Sequence, residues 1–163
     1  MKRIIVMACA SAAAAGAATL PLGAEQSQPA ATTDPATPSL ADIMTGIQLR
    51  HLKLAYSGRL KNWPLAGYEL DLIQQSLDTA ARLYPVFKGV PVAELIKQDS
   101  AQPIADLRRA IDAKSSDGSV TAFVRLTEAC NGCHQAAGVG FIVIRTPAAS
   151  PFSNQLFSPV EAR

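Results

Sequence analysis

Apolar side chains recur every three or four residues through most of the chain between Leu40 and Cys130, the period of helices that bury one face. Leu40, Ile43, Met44, Ile47, His51, Leu54 and Ala55 mark the first stripe; Ser39 stands ahead of it as an N-cap, and the helix is expected to reach Ser57 or Gly58. Asn62 caps a second helix, with Trp63 and Pro64 in a first turn where a missing N–H costs little. Its stripe is Ala66, Leu70, Ile73, Leu77, Ala80 and Tyr84, and Pro85 stops it. Residues 85–102 read as a connection with one helical turn around 92–97, followed by a third helix over 103–113 with Ile104, Leu107 and Ile111 inward. Ser115-Ser116-Asp117-Gly118 reads as a turn, and a fourth helix then carries Val120, Phe123, Thr127 and Cys130 along one side. Short links between long amphipathic helices make antiparallel neighbours. The expected fold class is therefore all-α: an antiparallel four-helix bundle over residues 39–138, with no internal repeat.

The pattern changes at both ends. Lys2 and Arg3 precede an apolar, alanine-rich run that ends near Leu20, and Leu22-Gly23-Ala24 offers small residues to a peptidase. Residues 1–24 are read as a secretory signal cleaved near Ala24, which places the mature protein in the periplasm with no remaining membrane span. A lipoprotein cleavage ahead of Cys9 fits poorly, because the apolar stretch before it is short. Residues 25–38, polar and Pro-rich, read as a flexible leader with nothing to bury. After Gly138 and Gly140, Phe141-Ile142-Val143-Ile144 is a short β-favouring run, broken by Thr146-Pro147. Residues 139–163 are too apolar for a free tail and are expected to lie, extended and mostly non-helical, over the bundle as a cofactor shield or partner surface.

Removing 24 of the 163 residues leaves 139, enough for one domain with a modest core. Without Lys2 and Arg3 the 15 basic residues become 13, against 13 acidic. A chain so near neutrality, with no basic stripe, is not built for nucleic acid, and no charge block points to a membrane surface.

The densest chemistry is Cys130-Asn131-Gly132-Cys133-His134, the Cys-x-x-Cys-His pattern of covalent c-type haem attachment. One helical turn presents both sulfurs to the two vinyl groups of a porphyrin, and the adjacent imidazole reaches the iron. Export agrees with the motif, since bacterial haem c is attached outside the cytoplasm. The rival chemistries are a structural disulfide, a redox dithiol, which expects a βαβ setting, and a zinc site drawing on Cys130, Cys133, His134 and His51. Cys133 and His134 are sequence neighbours, an awkward pair for one tetrahedral ion.

Four amphipathic helices with this motif late in the chain resemble the cytochrome c-prime and c-556 group of periplasmic haem proteins, over roughly residues 39–137. The resemblance implies one haem c per chain, thioether bonds from Cys130 and Cys133, and His134 as the proximal iron ligand. Members of the group leave the other iron face open or fill it with a first-helix Met. This chain departs from the group in having 29 residues after His134, and in carrying its one other histidine, His51, on the first helix. The runs Asn62-Trp63-x-Leu65-Ala66-x-Tyr68-Glu69-Leu70 and Pro151-Phe152-Ser153-Asn154-Gln155 are also similar to small exported haem-motif proteins of no settled role.

His51 is the favoured distal ligand, with a hydrogen-bonded core-edge histidine as the structural alternative. Met44 shares its face and is the second candidate, and a five-coordinate iron is the third arrangement. Two axial ligands suit one-electron transfer between redox partner proteins, as a carrier and not an enzyme. An open iron suits gas binding or sensing, with weak peroxidase chemistry. Trp63, Tyr68 and Phe123 read as core or cofactor packing, and Glu69 and Asp71 as solvated positions that do not converge. A homodimer is compatible with such a bundle, and no patch in the sequence decides it.

Overall fold

The computed structural model describes residues 37–160. The expected signal and almost all of the expected leader, with Cys9, lie outside the described residues. Four helices follow in order: α1 Leu40–Arg59, α2 Trp63–Leu83, α3 Val92–Asp112 and α4 Ser116–Ala136. Each packs on its neighbours in sequence, and α4 returns to α1, so the four close into a ring around one core. Among the described residues there is no strand; a lone bridge between Phe87 and Val90 tightens the α2–α3 connection.

The caps are set by the residues expected to set them. The Ser39 hydroxyl accepts from the Asp42 N–H, and the Asp42 carboxylate accepts from the Ser39 N–H, a reciprocal capping box at 3.2 Å each. The Asn62 side chain accepts from the Leu65 N–H at the start of α2. The α2 stripe is as read: Ala66, Leu70, Ile73, Leu77 and Ala80 are buried, and Tyr84 is the C-cap. Burying Leu70, Ile73, Leu107 and Leu126 out of all contact with water stabilises the ring by roughly 1.5–3 kcal/mol per side chain.

Three expectations are corrected. α3 is one helix from Val92, not a connection followed by a short helix from Pro103. Val92, Ile96, Ile104, Leu107 and Ile111 form a single buried stripe across Pro103, and its burial outweighs the missing N–H of one interior proline. The expected turn 115–118 is instead the start of α4. Ser115 is the N-cap, accepting from the Gly118 N–H, and a Cβ on Gly118 would press on the Ser115 hydroxyl and the Ala110 methyl. Val120 is exposed on α4; the buried face is Ser119, Ala122, Phe123, Leu126 and Thr127.

The helices end by a shared device. At α1, α3 and α4 the chain enters the left-handed region at Lys61, Lys114 and Gly138. Next-residue amides then bond back to carbonyls in the last turn: Asn62 to Ser57, Ser115 to Ala110 and Val139 to His134, at 2.8–2.9 Å. Beyond α4 the chain touches the bundle at separated points. Asn131 pairs with Ile144, Arg59 donates to the Pro147 carbonyl and Asn62 to the Ser158 carbonyl. Phe157 is buried against Tyr56, while Phe141 and Val143 are exposed. No helix among the described residues is long and apolar enough to cross a membrane.

Candidate cofactor site

All five motif residues lie in the last two turns of α4. Cys130 and Cys133, one turn apart, are half-buried and not bridged. Burial, reinforced by the neighbouring Cys133, pushes the Cys130 thiol up to about 11. Burial and then the Asp99 carboxylate push Cys133 up as well. Both sulfurs are thus protonated at neutral pH, the reverse of the lowered pKa that a redox dithiol needs for attack.

His134 is held by the way α4 ends. Gly138, at φ +72°, turns the chain, and the His134 carbonyl accepts from the Val139 N–H. Residues 139–144 then run back along the last turn as a strap, bringing the Ile142 carbonyl 2.8 Å from His134 Nδ1. A carbonyl only accepts, so Nδ1 carries a proton, and in the neutral ring Nε2 is the nitrogen with the lone pair. Metal-binding histidines are prepared this way, with one ring nitrogen donating to a backbone carbonyl and the other facing the metal. An Nε2 lone pair beside two unbridged, protonated thiols, one turn apart, fits the donor set of a haem held through two thioethers.

Asn131, inside the motif, was not singled out by sequence reasoning. Its amide makes two bonds to one residue of the strap: Nδ2 donates to the Ile144 carbonyl at 2.9 Å, and Oδ1 accepts from the Ile144 N–H at 2.8 Å. Its amide chemistry was visible; the partner, thirteen residues on, depends on the path of the strap.

His51 sits elsewhere on the α1–α4 contact. It is buried, its ring lies 4.3 Å from the Phe123 ring centre, and Nε2 is 2.8 Å from the Thr127 hydroxyl. That hydroxyl donates its one proton to the Phe123 carbonyl at 2.9 Å, so Nε2–H of His51 is the donor. Burial lowers the His51 pKa to about 4, so the ring is neutral. Thr127, which engages His51, lies seven residues before His134 in α4, on the order of 10 Å along the axis. Met44, two turns before His51, is half-buried and packs against the core. A cavity of about 360 Å³ lies between α1 and the strap, lined by Thr45, Gln48, His51 and Val143 among others.

Among the described residues, no three His, Cys, Asp or Glu side chains converge on one ion. Phe123 is core, as read, whereas Tyr68 is exposed and Trp63 is half-buried. Glu69 is buried and not solvated: it faces α1, with Oε2 3.8 Å from Arg50. Asp71 is exposed and pairs with Arg108. Comparison of the chain with protein-family models, with curated proteins and with solved structures returns no match.

Proposed function

We propose that this chain is an exported mono-haem protein of the c type that carries single electrons between redox partners in the periplasm. The observation that carries the proposal is His134, with Nδ1 bonded to the Ile142 carbonyl, on the same two turns of helix as the unbridged Cys130 and Cys133. In this reading Cys130 and Cys133 tether the porphyrin by thioether bonds, and His134 Nε2 ligates the iron. The haem supplies reversible one-electron chemistry between ferric and ferrous iron. The protein keeps the imidazole oriented through the Ile142 carbonyl. The three-residue links Leu60–Asn62 and Ala113–Ser115 support alternating helix directions, the antiparallel bundle that resembles the c-prime and c-556 group.

On the other iron face His51 is the favoured ligand by residue type, and Met44 the second. Ligation by His51 requires it to leave Thr127. The engagement of Nε2 with Thr127 favours a second reading, in which His51 stays structural, the iron is five-coordinate and the protein binds or senses a small gas. Carbon monoxide separates the two. A reduced carrier with two axial ligands takes it up slowly or not at all, and titrates as a one-electron couple. Rapid stoichiometric uptake, with a spectrum unchanged in His51→Ala, overturns the carrier reading in favour of the gas-binding one.

A further inference from the structure

We propose that Asn131 is a positioning residue for His134, acting through the strap that follows α4. The imidazole and the strap meet in one hydrogen bond, from Nδ1 to the Ile142 carbonyl at 2.8 Å. A backbone carbonyl in an exposed segment orients a ring only if the segment itself is fixed. Phe141 and Val143, on either side of Ile142, are exposed, so apolar burial does not fix it. Within residues 139–144 the Ile142 N–H bonds the Val139 carbonyl at 2.9 Å, which shapes the turn without tying it to the helix. At the near end the strap is tied by the Val139 N–H to the His134 carbonyl, and by the weaker bond from Gln135 to the Gly140 carbonyl at 3.4 Å. At the far end the tie is Asn131, which takes both the N–H and the carbonyl of Ile144, the pairing a neighbouring strand would make. Ile142 thus lies between two anchors that both belong to the motif's own turn of helix. One of the two variable positions of Cys130-x-x-Cys133 fixes the carbonyl that sets the ring.

The consequence for a metal follows from second-shell chemistry. A donor at Nδ1 bonded to a fixed carbonyl makes Nε2 a stronger base and stabilises the higher oxidation state of a ligated metal. Only this redox consequence rests on the haem reading; the clamp itself does not.

The test compares the exported chain, as purified, with Asn131→Ala and Ile144→Pro. The second variant removes one of the two clamp bonds from the strap side and leaves α4 untouched. The first readout is the solvent exchange of the His134 Nδ1 proton, followed by NMR in the reduced state. Both variants are expected to exchange it at least about tenfold faster with helix content unchanged. The second readout is the reduction potential of the haem-bearing chain, which is expected to rise in both. Faster exchange in chains that carry no haem supports the clamp while removing the haem reading. An unchanged Nδ1 proton in both folded variants overturns the proposal, whether or not haem is bound.

Discussion

His51 and Glu69 are buried ionisable groups that pull stability in opposite directions with pH. Burial lowers His51 from 6.5 to about 4, so between those values the unfolded chain binds the proton more readily. Its contribution is complete above pH 6.5, fades as the pH falls towards 4, and amounts to about 3 kcal/mol at the limit. Glu69 is raised by burial, against the pull of Lys53 and Arg50, so its contribution fades as the pH rises above 4.5. Denaturant unfolding at pH 7 and at pH 4.5 isolates the histidine. The wild type is expected to lose more stability on acidification than His51→Leu, and equal losses would contradict the burial of a neutral ring. At this scale the sequence was legible for the placing of Cys130, Cys133 and His134 within two turns of one helix. It was not legible for Glu69, whose burial depends on how α2 faces α1, nor for Asn131, whose partner is reached only after the chain reverses at Gly138.

The helices divide along a similar line. α1 and α2 were readable nearly to the residue, because Ser39 and Asn62 are strong caps and each stripe is uninterrupted. α3 departs from the local pattern at Pro103, where propensity and tertiary burial disagree and burial wins. The proline leaves the Asp99 carbonyl without its helical donor, and Asp99 faces the motif through Gly132. Pro103→Ala restores that bond and is expected to stabilise the fold by about 1–3 kcal/mol in denaturant unfolding. A loss of stability would mean that the packing of α3 on α4 requires the local distortion. The start of α4 is ambiguous in sequence, because Ser-Ser-Asp-Gly serves equally as a turn or as a cap followed by a first turn.

The whole molecule joins a ring of four helices to a segment that returns to the end of the last one. The ring follows from the stripes and the short links, so the all-helical class could be read from the chain. A tail laid extended over the bundle was expected, but the anchoring of residues 139–144 to the end of α4 could not be read, since it depends on the reversal at Gly138 and on Asn131, thirteen residues before its partner. The segment's hold on α4 is polar, through Asn131 at one end and the His134 carbonyl at the other, and part of its apolar surface faces solvent. The export reading, the motif and the prepared imidazole of His134 all bear on one claim, a haem bound covalently to Cys130 and Cys133. The measurement that tests it most directly is the alkaline pyridine spectrum of the protein produced with c-type maturation, after acid–acetone extraction. A reduced c-type haemochrome at one haem per chain, lost in Cys130→Ala/Cys133→Ala, is the expected result. A colourless protein after extraction would contradict the account.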